Sequence, residues 1–185
     1  MRLILAVVAS ADGRITGPKG LPVRGPQTGE QPHAWASTED QQYFQKLIRE
    51  HGVVIIGRNT YLVHRKQLKL TPNIRRIVMT ADPGKMKTDE VTGRLEFLTL
   101  SPTRLVRALQ KGGYRQAVLA GGPRLSAAFI KAKLVTEIHV TVEPKLFGAG
   151  LSILDGPLGQ TRLKLSSVKQ LNKSGTLLLR YKVMY

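Results

Sequence analysis

The fold class of this 185-residue chain is decided by residues 117–125, which read Ala-Val-Leu-Ala-Gly-Gly-Pro-Arg-Leu. Residues 117–120 are apolar and predict a short buried strand, which the following glycines end. Pro123 suits the first turn of a helix, because its missing N–H needs no partner there. The helix that follows carries one apolar stripe, formed by Leu125, Ala128, Phe129 and Ala132. A buried strand that runs straight into an amphipathic helix is the building unit of an α/β sheet.

The same unit recurs on both sides of this stretch. Short apolar runs predict strands at residues 3–9, 53–56, 76–80, 95–98, 117–120 and 135–142. Helices are expected from Ser37, near 59–65, from Pro102 and from Pro123, and residues 85–94 are expected to form an exposed loop. Residues 163–171 and 176–184 flank the turn signal Asn-Lys-Ser-Gly, which predicts a hairpin. We therefore predict one domain over residues 1–185, with a doubly wound, mainly parallel sheet and a C-terminal antiparallel hairpin.

The charge balance is strongly basic, with 29 Lys and Arg residues against 12 Asp and Glu and a formal net charge of +17. Such a chain attracts polyanions, so nonspecific binding of nucleic acid at low salt is expected. The basic residues are spread along the chain without a basic tail or an aromatic RNA-binding motif, which argues against a specific nucleic-acid function. The alternative interpretation is a basic protein with a phosphate-rich ligand.

Composition also excludes several kinds of site. The chain has no cysteine, which excludes disulfides, thiolate catalysis and cysteine-ligated zinc. The four histidines have no metal-ligand spacing, so no metal site is predicted. No apolar run reaches the length of a membrane span, and residues 3–9 are interpreted as a buried strand rather than a signal peptide. A cytoplasmic location is therefore expected.

Three of the predicted strands end in residues that suit an anion. In an open parallel sheet, ligands gather beyond the carboxyl ends of the strands. Residues 57–60, Gly-Arg-Asn-Thr, offer backbone amides, a guanidinium and a hydroxyl. Thr80 follows the third strand, with Arg58 and Arg76 nearby in charge. Residues 120–123, Ala-Gly-Gly-Pro, let a pyrophosphate approach the backbone at a helix N-terminus. Each segment alone also fits an ordinary turn, but together they indicate a phosphate-bearing ligand.

Candidates for contact with a reacting ligand lie at other strand and helix ends. They are Ser10 and Asp12 after the first strand, Trp35, Ser37 and Asp40 at the start of the first helix, and Thr141 and Glu143 closing the strand 135–142. A carboxylate in such a place binds ring nitrogens or handles a proton. Two alternatives stay open, because Asp12 is also a turn residue and Asp40 has the spacing from Ser37 of a capping box. The Gly- and Pro-rich loop 10–36 is predicted to cover the ligand.

Four segments together resemble the dihydrofolate reductase superfamily, and most closely the riboflavin-pathway pyrimidine reductases. They are residues 7–15 (Val-Val-Ala-Ser-Ala-Asp-Gly-Arg-Ile), 56–61 (Ile-Gly-Arg-Asn-Thr-Tyr), 119–125 and 143–148 (Glu-Pro-Lys-Leu-Phe-Gly). The resemblance implies a dihydrofolate-reductase-like fold, a homodimer and bound NADPH. Its adenosine-phosphate half would be held by Gly57, Arg58, Asn59 and Thr60, with Thr80 near the 2′-phosphate, and its pyrophosphate by Gly121 and Gly122 with Pro123. The family often has a cis peptide between such glycines.

The resemblance leaves the substrate open. The Ser-x-Asp-Gly opening and the Gly-Gly-Pro are similar to the riboflavin-pathway enzymes, which implies hydride transfer to a phosphorylated ribosylaminopyrimidine. The spacing of Trp35, Asp40 and Phe44 is similar to the folate enzymes, which implies reduction of dihydrofolate or a pterin. Asp40, Asp12 and Glu143 are the catalytic candidates, and Ser10, Trp35, Ser37 and Thr141 the substrate-binding ones.

A deaminase activity does not fit this sequence. The zinc deaminase half of the bifunctional riboflavin enzyme requires cysteine ligands, and the chain has none. A stand-alone reductase is therefore expected. A third alternative, from a different class, is a basic nucleic-acid-binding domain on a degenerate reductase fold.

Overall fold

The computed structural model describes residues 1–17 and 32–185. Its strands are β1 Arg2–Ser10, β2 Val53–Gly57, β3 Arg75–Met79, β4 Leu95–Leu98, β5 Gln116–Leu119, β6 Glu137–Glu143, β7 Arg162–Gln170 and β8 Leu177–Met184. Its α-helices are α1 Pro32–Trp35, α2 Thr38–His51, α3 Arg58–His64, α4 Pro102–Lys111 and α5 Pro123–Lys131, and 3₁₀ turns cover Arg65–Gln67 and Gly84–Asp89.

The strands form one eight-stranded sheet in the order β4-β3-β2-β5-β1-β6-β8-β7. The strands from β4 to β6 are parallel, whereas β8 runs antiparallel to β6 and β7 antiparallel to β8. This arrangement confirms the predicted α/β fold with a C-terminal antiparallel hairpin. The carboxyl ends of the parallel strands meet at one edge, where ligands of such sheets gather.

The central strands are apolar on both faces because helices cover both sides of the sheet. Leu3 and Leu5 of β1 pack with residues of α4 and α5 in one cluster, whose largest fully buried side chain is Phe129. Ile4, between them, faces the opposite side and packs with Leu47 and Ile48 of α2. Uninterrupted apolar strands of this kind explain why the sheet could be predicted from the sequence.

Helix α2 begins and ends at the expected signals, but its capping box is incomplete. The side chain of Ser37 accepts a hydrogen bond from the Asp40 backbone N–H, and the helix ends at Gly52 in the left-handed conformation. The Ser37 backbone N–H does not bond back to Asp40. It donates instead to Glu143 Oε1 at 2.7 Å. The Asp40 carboxyl is therefore not the second half of a cap.

The expected exposed loop at residues 85–94 is partly wrong. Residues 84–89 form a 3₁₀ turn, and Met86 is only 5% exposed. Met86 packs in the same cluster as Leu95 and Phe97, so burial of one apolar side chain orders this segment. Of the loop predicted at 10–36, residues 32–35 form helix α1, and residues 18–31 lie outside the described part of the chain.

The hairpin at the end of the chain forms the exposed edge of the sheet. Strand β7 pairs with β8 alone, with a register shift between Leu165 and Ser167. All nine residues of β7 are exposed. Among the described helices, none is long and apolar enough to cross a membrane.

Candidate active site

A cavity of about 610 Å³ is lined by helix α2, by helix α3 with the segment that follows it, and by the sheet. Strand β1 forms its floor with Ala6, Val7 and Val8, and Ile15 and Thr16 follow from the next loop. Of the residues nominated from the sequence, those that line this cavity are Asp40, Thr60, Gly121, Gly122, Pro123 and Thr141. The structure therefore brings a predicted proton-handling group and the predicted pyrophosphate turn into one space.

Among the described residues that line the cavity, Asp40 is the one with a carboxyl side chain. It is 7% exposed, and burial raises the pKa of its carboxyl to about 6, with a smaller contribution from the charge of Glu143. A hydrogen bond with Thr141 on β6 acts in the opposite direction. A carboxyl group with this pKa is partly protonated near neutral pH, so it can hold a proton for a reaction in the cavity.

Glu143 positions the helix that carries Asp40. Its Oε1 accepts from the Ser37 backbone N–H at 2.7 Å, and its Oε2 accepts from the Thr176 hydroxyl at 2.8 Å. One buried carboxylate thereby joins the start of α2 to the hairpin. Glu143 does not line the cavity, so the geometry favours a positioning role for it over direct contact with a ligand.

A second polar pair in the cavity was not nominated from the sequence. The Tyr43 hydroxyl lies 2.7 Å from His139 Nδ1, and His139 Nε2 lies 3.3 Å from Glu137 Oε2. Burial lowers the pKa of His139 to about 4, so the ring is neutral at neutral pH. Its Nε2–H then donates to Glu137, and its Nδ1 accepts from Tyr43. The signal was present in the spacing, since His139 and Thr141 share one face of β6 and Tyr43 follows Asp40 by one helical turn.

The Gly121–Gly122 turn presents bare backbone to the cavity. The peptide bond between the two glycines is cis, and Gly121 has a φ of +106°, a conformation that disfavours any side chain. A Cβ at Gly122 would lie 3.3 Å from Thr60 Oγ1. The Gly57 N–H donates to the Gly121 carbonyl at 3.1 Å and joins this turn to the end of β2. A side chain would fill the space here, so the turn fits a pyrophosphate that approaches the backbone.

The other nominated cofactor residues lie beside the cavity rather than in its lining. Arg58 and Asn59 are exposed on the first turn of α3. The Thr80 hydroxyl accepts from the Asp82 N–H at 3.2 Å. The hydrogen bond from Lys85 lowers the pKa of Asp82, and the charge of Arg58 adds to that effect, so Arg58 is a neighbour of this turn.

Arg76, which the sequence places near Thr80 in charge, lies at the opposite end of β3 from Thr80. Arg76 is at the start of β3 and Thr80 follows its end, so about 13 Å of strand separates them. Arg76 lines the main cavity instead.

Four nominated residues hold the neighbouring loops together. The Ser10 hydroxyl donates to Asp12, and Asp12 accepts from the Phe147 and Gly148 N–H groups. The hydrogen bond from Ser10 is the main cause that lowers the pKa of Asp12 to about 2. Trp35 packs edge-on against Phe147 with ring centroids 5.0 Å apart, and Ser37 caps α2. These side chains are not among those that line the cavity. Asp12, ionised and fixed to a loop, is a weaker proton donor than Asp40.

Within residues 1–17 and 32–185, no cluster of His, Asp and Glu side chains is suited to hold a metal ion.

The fold agrees with several solved structures, at identities that establish the fold alone. A putative riboflavin biosynthesis protein from Shewanella sp. PV-4 superposes with a TM-score of 0.73 at 17% identity, over 100% of both chains. A pyrimidine reductase-like protein from Corynebacterium diphtheriae gives 0.71 at 14% identity, over 100% of this chain and 92% of the other. A diaminohydroxyphosphoribosylaminopyrimidine deaminase/5-amino-6-(5-phosphoribosylamino)uracil reductase from Thermotoga maritima gives 0.77 at 16% identity, and this chain spans 56% of its length.

Sequence comparison assigns the family. An uncharacterized protein of Bacillus subtilis, YwjB, is 25% identical over 123 residues, which are 65% of this chain and 68% of that protein. The model of the RibD C-terminal domain matches residues 2–177. Because this match spans nearly the whole sequence, the chain belongs to the RibD C-terminal domain family.

Proposed function

We propose that this protein is an NADPH-dependent reductase that transfers hydride to a phosphorylated ribosylaminopyrimidine and reduces its ribose to a ribityl chain. The observation that carries the proposal is one cavity that contains both the Gly121–Gly122 turn and the buried Asp40. Family membership and the riboflavin-pathway relatives support the same activity.

The residues of the turn fit a dinucleotide. Gly121 and Gly122 would face the pyrophosphate, Thr60 would lie beside it, and Pro123 would begin the helix whose N-terminus favours negative charge. Gly57, Arg58, Asn59 and Thr80 would hold the adenosine end. Bound NADPH would supply the hydride, and the neighbouring apolar floor of β1 would exclude water from the reacting atoms.

Asp40 would hold the proton that the reduction consumes. When hydride adds to C1′ of the open-chain sugar imine, the electrons of the C=N bond move to nitrogen, which takes up one proton. A carboxyl group that is still partly protonated near neutral pH can supply that proton and be reprotonated from water. Thr141 would orient the carboxyl, and the Tyr43–His139 pair would orient the ligand beside it.

The test is steady-state turnover with NADPH and the ribosylaminopyrimidine 5′-phosphate, followed by the loss of NADPH absorbance. We expect turnover together with formation of the ribityl product, identified by mass spectrometry. NADPH binding without reduction of this substrate would contradict the substrate assignment. Failure to bind NADPH would contradict the reductase assignment and favour the nucleic-acid-binding alternative.

Reduction of a pteridine is the second candidate, and one observation favours it. The Asp40 carboxyl and the Thr141 hydroxyl face the same cavity, and together they match the N–H groups along one edge of a pteridine ring. Turnover of dihydrofolate in the same assay, with no reduction of the ribosylaminopyrimidine, would select this candidate.

We further propose that the enzyme acts in the cytoplasm as a homodimer. The resemblance to the riboflavin-pathway reductases supports both expectations, and the exposed hairpin offers an apolar surface for self-association.

A further inference from the structure

We propose that Arg76 receives an anionic substituent, a phosphate or a carboxylate, at the end of the substrate remote from Asp40. The inference rests on the proposed function and adds to it a requirement on the substrate: one elongated molecule that carries its negative charge far from the ring. It also assigns a role to a side chain that the hydride and proton steps do not use.

Arg76 is a buried cation that forms no ion pair with any carboxylate of residues 1–17 and 32–185. It is 6% exposed, and its Nη1 has no hydrogen-bond partner among the described residues. Its neighbour Arg75 behaves differently, because it forms a two-point pair with Glu96 at 2.9 and 2.7 Å. Burial lowers the pKa of Arg76, with no opposing contribution from a carboxylate. An unpaired buried guanidinium is costly, so a chain that retains one gains something from it in a complex.

The position of Arg76 fits an anion that arrives through the cavity. Its side chain lines the same cavity as Asp40, and the exposed Lys69 is also among the lining residues. Arg76 is on β3 and Thr141 is on β6, four strands away in the sheet. At the usual strand spacing this separation is about 19 Å. The cavity thus has the Asp40 carboxylate at one end and the Arg76 guanidinium at the other, which matches a ligand with a hydrogen-bonding ring and a distant anion.

A planar guanidinium accepts either kind of anion. Its N–H groups form two parallel hydrogen bonds with a carboxylate or with phosphate oxygens. The ribosylaminopyrimidine carries a phosphate ester, and dihydrofolate carries glutamyl carboxylates. Both sources share the chemistry that Arg76 recognises, so the two substrates have to be separated by experiment.

The decisive variant is Arg76→Met, which keeps most of the side-chain volume and removes the charge. In the ligand-free protein we expect its unfolding midpoint to rise above that of wild type, because an unpaired buried charge has been removed. Its KM for the anionic substrate should increase about tenfold or more, with kcat changed less than about threefold. The control is Arg107→Met, which removes one positive charge from the exposed face of α4. It should change neither the unfolding midpoint nor the KM for the anionic substrate.

The substrate arm tests whether the anion is what Arg76 recognises. Wild type should prefer the ribosylaminopyrimidine 5′-phosphate over its dephosphorylated form, or dihydrofolate over a dihydropterin without the glutamyl tail, by about tenfold in KM. Arg76→Met should lose that preference. If the preference is lost for the ribosylaminopyrimidine pair, the anion is the phosphate; if it is lost for the folate pair, the anion is the glutamyl carboxylate. An equal preference in the variant and in wild type would overturn the proposal.

A third measurement separates this inference from the proposed function. Millimolar inorganic phosphate should raise the unfolding midpoint of wild type and not that of Arg76→Met, whether or not either substrate is reduced. If neither substrate is reduced but this difference is present, the activity is wrong and the anion site stands. An Arg76→Met protein that is less stable than wild type, or that phosphate stabilises equally, would show that the arginine is structural.

Discussion

Asp40 is the proposed proton donor, and its substitution tests that role. We expect Asp40→Asn to lower turnover about a hundredfold or more, because the amide cannot supply a proton. In wild type, kcat should fall as pH rises through about 6, where the carboxyl loses its proton, and the residual activity of the variant should not follow that titration. A pH–rate profile of both proteins checks this. Activity within a few-fold of wild type would leave Asp40 without a catalytic role.

Asp40→Asn should also change the stability of the fold, by an amount that depends on pH. The pKa of Asp40 is higher in the folded protein than the ordinary value of 3.8, so between about pH 4 and pH 6 the folded state binds the extra proton and stability falls as pH rises. At higher pH the buried carboxylate is a constant cost, on the order of 3 kcal/mol. Asp40→Asn should therefore be more stable than wild type above pH 6 and similar to it near pH 4 in thermal unfolding.

Gly122 tests the pyrophosphate turn. Its backbone has a φ of −76°, which other residues adopt, so the expected damage comes from space alone. Gly122→Val would place a side chain 3.3 Å from Thr60 Oγ1 and over the backbone that the cofactor approaches. We expect NADPH affinity, measured by calorimetry, to fall at least about tenfold while the circular dichroism spectrum is retained. Gly159→Val, at an exposed glycine with open space around it, is the control. Wild-type affinity in Gly122→Val would show that the turn is only structural.

At the scale of elements, Glu143 couples helix α2 to the hairpin. Glu143→Gln keeps the shape and removes the charge that the Ser37 N–H and the Thr176 hydroxyl donate to. We expect a loss of about 1–3 kcal/mol in the free energy of unfolding. The pKa of Asp40 should also fall, because the charge of Glu143 contributes to raising it, and the activity profile should move to lower pH. Glu50→Gln, exposed near the end of α2, is the control for stability, and an unmoved pH profile would contradict the coupling.

The start of α3 and the end of β3 together predict cofactor preference. Arg58 and Thr80 lie beside the same turn, where a 2′-phosphate would find a guanidinium and a hydroxyl. We expect NADPH to bind about tenfold or more tightly than NADH, since a charged hydrogen bond contributes about 1.5–3 kcal/mol. Arg58→Gln should weaken NADPH and leave NADH unchanged in calorimetry. Equal affinities of wild type for both cofactors would contradict the assignment.

At the scale of the whole molecule, the hairpin is the candidate surface for self-association. Leu163, Leu165 and Val168 of β7 are exposed, Leu165 by 51%. Arg162, Lys164 and Lys169 charge the same strand and disfavour open edge pairing, so contact through the apolar face is expected. Light scattering of wild type at micromolar concentration should give twice the 20.4 kDa chain mass, and Leu165→Arg should give the monomer. Val91→Arg, at an exposed valine outside the hairpin, should leave the dimer intact, and a monomeric wild type would refute the proposal.

Local sequence patterns were enough to predict the eight strands, the helices other than α1 and the family. Runs such as residues 53–56 and caps such as Ser37 act on their own neighbours, so local patterns contain the necessary information. The Gly121–Gly122 turn was predictable for the same reason, because the strand, the glycines and the helix that make it are consecutive. Asp40 was also among the candidates from the sequence, but its spacing from Ser37 and from Trp35 supported a cap and a ligand-binding carboxylate equally.

The capping role of the Asp40 carboxyl was excluded by contacts between distant parts of the chain. The Ser37 N–H that a capping box would use is taken by Glu143, 106 residues away in the chain, which leaves the Asp40 carboxyl to Thr141 and the cavity. Arg76 and the Tyr43–His139 pair depend in the same way on strand register and on contacts between distant segments. Burial and the partners of a charge arise from the packing of the whole chain, so no local pattern contains them.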